Sequence, residues 1–323
     1  MAILVTGGAG YIGSHTVMEL LENREEIVVV DNLVKGHKNA IKGGKFYCGD
    51  IRDEDFLDRA FKENEIEAVI HFAAYSLVGE SMKDPIGYYN NNVRGTITLL
   101  HFMKKYGVKN IVFSSTAAVY GEAKNIPITE DDDTCPENPY GESKLAIEKL
   151  LKWASDSLDI NYIALRYFNA AGAHESGVIG EDHDPETHLI PIVLETALKK
   201  RDKIIIFGDD YNTPDGTCIR DYIHVMDLSQ AHLLALDKLK KDGESGIYNL
   251  GNGKGFSVKE VIEKSKEVTG RDIPVEIGNR RKGDPHILIA SSEKAKKELG
   301  WKPKYNSLEK IIEDAWRWHS KTH

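Results

Sequence analysis

Tyr140 and Lys144 stand four residues apart in Tyr140-Gly141-Glu142-Ser143-Lys144, inside a stretch with helical periodicity, so both side chains share one helix face. A phenol in water titrates near about 10, and a neighbouring ammonium favours its ionised form. The pair is therefore a candidate proton-transfer couple near neutral pH. The same spacing also describes an ordinary helix face, and what singles this one out lies upstream. Ser114-Ser115-Thr116 directly follows the apolar run Ile111-Val112-Phe113, which places hydroxyls at the carboxyl end of a strand, where parallel sheets bind ligands. A hydroxyl from Thr116, the Tyr140 phenol and the Lys144 ammonium, gathered beside a nicotinamide with Ser114 at its edge, make a proton relay suited to oxidising an alcohol.

The nicotinamide is implied by the first residues of the chain. Ile3-Leu4-Val5 runs into Thr6-Gly7-Gly8-Ala9-Gly10-Tyr11-Ile12-Gly13 and then into a helical pattern. In that context Gly7 permits a tight turn, Gly10 lets backbone approach a pyrophosphate, Gly13 lets helix and strand pack closely, and the helix N-terminus offers N–H groups. A second strand ends in Val30-Asp31-Asn32, close to the roughly 20-residue spacing expected for the acid that binds a ribose 2′-hydroxyl. A carboxylate there repels a 2′-phosphate, which favours NAD over NADP, with Lys35 nearby as a weak counter-signal. Asp50, in Gly49-Asp50-Ile51-Arg52, is equally readable as a hydrogen-bond acceptor for adenine or as a helix N-cap.

These groups need a scaffold, and the hydropathy pattern supplies one. Short β-branched runs (Ile3–Val5, Ile27–Val30, Ala68–Ile70, Ile111–Phe113, Ile163–Leu165) alternate with helical patterns at Tyr11–Glu22, Asp53–Glu63, Asn92–Tyr106 and Glu142–Ser155. Near-continuous apolarity marks strands covered on both faces, so the reading is an α/β protein with a doubly wound parallel sheet of the Rossmann type. After Asn169 the rhythm breaks into a Gly-, His- and acid-rich stretch from Ala170 to Thr187. An apolar helix at Leu189–Lys199 and a strand at Ile204–Phe207 follow. Residues 1–170 are expected to form the dinucleotide-binding domain and 171–323 mainly a smaller α/β substrate domain, with a segment near 221–240 returning to the first. The helix Ser307–His319 reads as packing.

Composition narrows the class of partner. The chain has 323 residues, 41% of them hydrophobic, and its 42 Lys plus Arg against 51 Asp plus Glu give a formal charge of −9, which argues against nucleic acid. Three cysteines without Cys-x-x-Cys spacing suggest neither a disulfide framework nor a zinc site, so no metal is expected, and they fit a reducing cytoplasm. No apolar run approaches a membrane span.

Taken together these residues resemble the extended short-chain dehydrogenase/reductase family, and within it the sugar-nucleotide 4-epimerases. The likeness spans nearly the whole chain. Beyond the motifs above it rests on His71-Phe72-Ala73-Ala74, Tyr89-Asn90-Asn91-Asn92-Val93, Arg166-Tyr167-Phe168-Asn169, Phe207-Gly208, Arg220-Asp221-Tyr222-Ile223-His224-Val225 and Arg281-Lys282-Gly283-Asp284. The resemblance implies an NAD-dependent isomerase interconverting UDP-galactose and UDP-glucose at C4 through a transient 4-keto sugar. On this basis Tyr11, Ile12, Asp31, Asn32, Asp50, Ile51, Phe72, Ala73, Ala74, Asn91, Ser114, Lys144 and Phe168 join the three glycines and Tyr140 around NAD. Thr116 and Tyr140 meet the sugar. Asn169, His188, Leu189, Phe207, Arg220, Tyr222, Arg281 and Asp284 hold the rest of the substrate, and Leu288 shapes the pocket around the hexose C2 substituent. Two arginines suit a diphosphate, although a surface ion pair with Asp221 or Asp284 is the plainer reading of Arg220 and Arg281.

The chain departs from the family pattern in three places. Ala74-Tyr75-Ser76 stands where a lysine is common, His188 where an asparagine often precedes the substrate-loop leucine, and Lys35-Gly36 replaces a common Asn-Ser. The related 4,6-dehydratases carry an Asp-Glu pair where this chain has Ala117 and Ala118, so dehydration is not expected. A silent NAD-binding module would be expected to have lost Tyr140, Lys144 or Thr116. The family also implies a homodimer formed through the helices near Asn92–Tyr106 and Glu142–Ser155.

Overall fold

The apolar runs form seven parallel strands: β1 (Ala2–Thr6), β2 (Glu26–Asp31), β3 (Lys45–Cys48), β4 (Ile66–His71), β5 (Asn110–Ser114), β6 (Asn161–Tyr167) and, far down the chain, Gly246–Leu250. The computed structural model describes residues 1–281 and 285–321. The remaining strands are β7 (Asn169–Ala171), β8 (Ile204–Phe207), β9 (Ile219–His224), β11 (Gly255–Ser257), β12 (Val275–Gly278) and β13 (Ile287–Leu288), with Gly246–Leu250 as β10. The large sheet has the order β10-β6-β5-β4-β1-β2-β3. Strand order reverses at β1, between β2 and β4, and the crevice beyond the carboxyl ends there is where such sheets take their ligands.

Both faces of the sheet are buried, as the apolar runs require. Leu4, Val28, Val69 and Ile111 pack to one side with Leu57, Leu99, Met103 and Leu151, while Ile3, Val5, Val29, Ile70 and Ile163 pack to the other with Val17, Leu20, Leu236 and Leu239. The last two belong to the helix Val225–Asp242, which lies against the helix Tyr11–Glu22. β9 organises a smaller sheet, pairing antiparallel with β11 and parallel with β13 and β7; this sets Leu288 beside Arg220 and Asn169 beside Tyr222. β8 pairs with β12.

Besides β7, β11–β13 and the helix Val258–Thr269, which the sequence reading did not name, three elements differ from it. The helix expected over Asn92–Tyr106 begins as a wide π-turn at Tyr89–Arg94 and becomes α-helical only from Gly95. The helix expected from Glu142 starts at Pro139 and runs to Leu158, because Asn138 accepts the Gly141 N–H and proline suits the first helical position. Edge strand β10 went unrecognised, its five residues offering too short a pattern to separate from loop.

Candidate active site

Gly7 lies in the left-handed region with φ 73°, and a Cβ built there would meet the Ala73 nitrogen at 2.6 Å. At Gly13 a Cβ would meet the Gly7 carbonyl oxygen at 2.2 Å, so β1 and the helix it feeds can touch only through glycine. Gly10 is the N-cap of that helix and offers no side-chain cap, so the first-turn amides depend on an outside acceptor. Gly7, Gly10, Tyr11, Ile12 and Gly13 line a cavity of about 550 Å³.

Asp31 closes the next strand end on the same cavity. One carboxylate oxygen accepts the Ala9 N–H at 3.0 Å and the other the Leu33 N–H at 2.8 Å; burial raises its pKa while these bonds oppose the rise. Asp50 does not cap a helix, for Asp53 does that by accepting the Phe56 N–H. Instead Asp50 faces the cavity, held by Arg52 through bonds of 2.8 and 2.6 Å and by Asn32 at 3.0 Å. The Arg52 hydrogen bonds hold its carboxyl down to about 2.

The π-turn gives Asn92 its role. Its side-chain oxygen accepts the Tyr75 N–H at 2.8 Å and its amide donates to the Tyr75 carbonyl and to Ser143 Oγ, so one buried amide ties the loop after β4 to the helix that carries Tyr140. That helix is locked further along by a network invisible in the sequence. Arg166 makes a two-pronged bond to Glu148 at 3.0 and 2.6 Å, Ser115 donates to the same carboxylate at 2.5 Å, and Arg166 donates to the Tyr120 hydroxyl at 2.8 Å, all fully buried.

Tyr140 and Lys144 share the cavity with Thr116 and Ser114. Lys144 Nζ donates to the Ser114 carbonyl at 2.7 Å and lies 4.8 Å from the centre of the Phe113 ring. Burial pushes its pKa down to about 7 against the pull of the Glu148 carboxylate, and burial pushes the Tyr140 phenol above its usual value while the Thr116 hydroxyl restrains it. Burial thus favours the neutral phenol, and the lysine's hydrogen bond goes to the strand end. A cationic ring beside Tyr140 would reverse the first effect by stabilising phenolate.

Every residue assigned to NAD from the sequence lines this one cavity: Gly7, Gly10, Tyr11, Ile12, Gly13, Asp31, Asn32, Asp50, Ile51, Phe72, Ala73, Ala74, Asn91, Ser114, Tyr140, Lys144 and Phe168. Of the substrate set, Thr116, Tyr140, Asn169, His188, Arg220 and Leu288 line it too. Leu189, Phe207, Tyr222 and Arg281 line a second cavity of about 470 Å³, which adjoins the first through Asn169, Ala170, His188 and Arg220. Tyr222 is 5% exposed and packs with Ala171, Ile190 and Leu194, so it serves the wall rather than the opening. The Arg281 guanidinium lies 4.0 Å from the centre of the Phe207 ring. Asp284 lies outside the described residues. Asp221 is wholly buried and its carboxylate accepts N–H groups from Asn252, Gly253 and Ala290, fastening two loops to β9.

The structure also brings in residues that the sequence reading passed over. Glu181 and His183 line the first cavity, and His188 turns its ring toward Glu181 at 2.7 Å and Glu186 at 3.2 Å. Burial disfavours charge on His188, but Glu181 and then Glu186 raise its pKa to about 10. The acid and histidine spacing of Glu181-Asp182-His183 and Glu186-Thr187-His188 was the signal available.

A doubly wound sheet with a glycine-cradled helix N-terminus, an acid facing the same cavity and a Tyr/Lys/Thr group beyond its strand ends defines a dinucleotide-dependent oxidoreductase scaffold, with a second chamber beside it. The chain belongs to the NAD dependent epimerase/dehydratase family, whose model matches residues 3–251, and NAD is its cofactor. It is 64% identical over 319 residues to a UDP-glucose 4-epimerase of Halalkalibacterium halodurans, covering 99% of this chain and 96% of that one. A crystal structure of a UDP-glucose 4-epimerase superposes with a TM-score of 0.98 at 58% identity, covering 99% of this chain and 98% of that chain. The Bifidobacterium longum UDP-glucose 4-epimerase in complex with NAD+ and UDP superposes with a TM-score of 0.94 at 43% identity, covering 99% and 98%.

Proposed function

We propose that this chain interconverts UDP-galactose and UDP-glucose at C4. The observation that carries the reading is the joining of two chambers: a Tyr140/Thr116/Lys144 group on a cavity cradled for a dinucleotide opens past Asn169 and Arg220 into a second cavity with an arginine over an aromatic ring. NAD, held along Gly7–Gly13, Asp31 and Asp50, supplies the acceptor and later donor of hydride at C4. Tyr140 takes the proton of the C4 hydroxyl and returns it to the C4 oxygen when hydride comes back to the opposite face of the ring carbon, Thr116 hydrogen-bonds the same oxygen, and Lys144, fixed to the Ser114 carbonyl, biases the phenol toward its charged form. Arg220 and Arg281 neutralise the diphosphate, and Phe207 offers a ring to the remainder of the nucleotide. Gripping UDP firmly and the hexose loosely lets the keto sugar turn its other face to the hydride.

The dehydratase branch of the family is disfavoured because Ala117 and Ala118 line the cavity where proton-transferring carboxylates would be needed. Residues 1–170 serve NAD and 171–323 mainly the UDP-sugar, with the helix after β9 and strand β10 rejoining the first unit. The chain works as a homodimer: Ile97 and Trp153, 51% and 70% exposed, stand on the two helices expected to pair. Cys48, Cys135 and Cys218 form no disulfide, as suits the cytoplasm, and among the described residues no helix is long and apolar enough to cross a membrane.

A deuterium label at C4 of UDP-galactose tests the chemistry. The label is expected at C4 of the UDP-glucose formed, since hydride leaves and returns on one carbon. Its loss to solvent would refute the assignment.

A further inference from the structure

The loop between β7 and the helix Leu189–Ala197 gathers Glu181, His183, Glu186 and His188 so that one ligating atom of each lies within 4.8 Å of all the others. We propose that these four residues form a structural zinc site that clamps this loop against the wall of both cavities.

Separations between the donor groups carry the proposal. Glu181 Oε1 lies 3.0 Å from His183 Nδ1 and 2.7 Å from His188 Nδ1, Glu186 Oε1 lies 3.2 Å from His188 Nδ1, and Glu186 Oε2 lies 3.8 Å from His183 Nδ1. A tetrahedral zinc ion with ligand bonds of about 2.0–2.1 Å has ligand–ligand edges of about 3.3 Å, and these four separations, the two at Glu186 made by its two oxygens, bracket that length, so small side-chain rotations bring one donor of each group onto the ion. Two imidazoles and two carboxylates are a donor set that suits Zn²⁺ over the all-oxygen cages of Mg²⁺ and Ca²⁺.

Charge and placement point the same way. The side chains of Glu181 and Glu186 are 3% and 4% exposed, which is costly for two carboxylates unless their charge is met, and one dication balances both. Four protein ligands close the shell, so the ion holds structure and takes no part in hydride or proton transfer. The clamp has somewhere to transmit force. His37 Nε2 meets the Asp182 carbonyl at 2.7 Å, the Trp318 indole donates to the Glu181 carbonyl at 2.9 Å, and His188 is the N-cap of the next helix. Zinc thus joins the cofactor loop, the C-terminal helix and the start of the second chamber. In this arrangement His188 is a metal ligand rather than a sugar contact.

The test uses the full-length holoenzyme, purified without a histidine tag, dialysed against chelator and titrated with ZnCl₂ alone. Saturable binding of one zinc per chain is expected, with a dissociation constant at or below about 1 μM and no displacement by excess Mg²⁺. X-ray absorption at the zinc edge of the wild type, which depends on no variant folding, should show four nitrogen and oxygen donors with an imidazole pattern. His183→Ala and Glu181→Gln should each weaken binding at least about tenfold, while His101→Ala, an exposed histidine elsewhere, leaves it unchanged. Absence of saturable binding, sulfur in the coordination shell, or binding indifferent to both loop variants would overturn the proposal. Because the readout is metal content and coordination, its failure leaves the epimerase reading intact.

Discussion

The two ends of the joined cavity are built by opposite means. At the reacting end, Thr116 and Tyr140 sit on a strand end and a helix start. These are fixed by the Lys144 bond to the Ser114 carbonyl, by Asn92 and by the buried Arg166–Glu148 pair. At the far end, Phe207 and Arg281 are both exposed, the guanidinium over the ring, on the short β8–β12 pair and the segment that follows it. Rigid placement serves a proton transfer that tolerates little misalignment, whereas an adaptable surface serves grip. The contrast suits a reaction in which the sugar must turn over while its carrier stays bound.

Removing the base should break the comparison most sharply. Tyr140→Phe is expected to lower kcat by about 10²- to 10⁴-fold with little change in UDP affinity, as steady-state kinetics and calorimetry with UDP would show. Damage to the frame behind it should appear as stability instead. Glu148→Gln leaves the Arg166 charge buried with weakened pairing and should cost about 3–5 kcal/mol in urea unfolding.

The far end should respond in the other kinetic constant. Arg220→Met, which removes a charged donor to the diphosphate, is expected to raise KM by about 10- to 100-fold with kcat largely kept, since a hydrogen bond to a charged group contributes about 1.5–3 kcal/mol. A fall in kcat alone would place Arg220 with the chemistry.

Leu288, beside Arg220 in β13 and packed on the Val119, Tyr120 and Leu145 cluster, lies between the two ends. UDP-galactose and UDP-glucose are the expected preferred substrates, with weaker use of UDP-N-acetylglucosamine. Leu288→Tyr should reduce kcat/KM for the N-acetyl sugar about tenfold more than for UDP-glucose, because shape discrimination is worth about 1–3 kcal/mol.

The smallest effect concerns Asp50. Its carboxyl, held down to about 2 chiefly by the Arg52 hydrogen bonds, has a folded pKa below its unfolded value, so its contribution to stability is present above the unfolded pKa and fades as acid is added. The stability advantage of wild type over Asp50→Asn should therefore shrink between about pH 5 and about pH 3 in urea titrations.

The same contrast governs what could be read from the chain. Tyr140 and Lys144 are separated by one helical turn, Ser114–Thr116 follow their strand directly, and Gly7–Gly13 carry their own turn; each signal is local, so spacing alone exposes it. Arg220 comes from β9, while Phe207 and Arg281 come from the β8–β12 pair and the segment after it, distant stretches of chain, and all three were reached only through family resemblance. Asp50 was ambiguous until Asp53 proved to be the cap. Glu148 with Arg166, and Asp221 with its two loops, are long-range pairings that leave no period in the sequence. Glu181 and His183 were visible as an acid- and histidine-rich stretch, yet only folding brings their donor atoms together.

One measurement reaches the central claim directly. Purified protein is incubated with UDP-galactose, with no nicotinamide cofactor added, and the products are separated. UDP-glucose should accumulate to an equilibrium mixture that is reached equally from UDP-glucose, and the denatured protein should release NAD, because each turnover restores the cofactor it uses. Failure to form UDP-glucose in a preparation shown to contain NAD, or formation of a 4-keto-6-deoxy sugar in its place, would contradict the account.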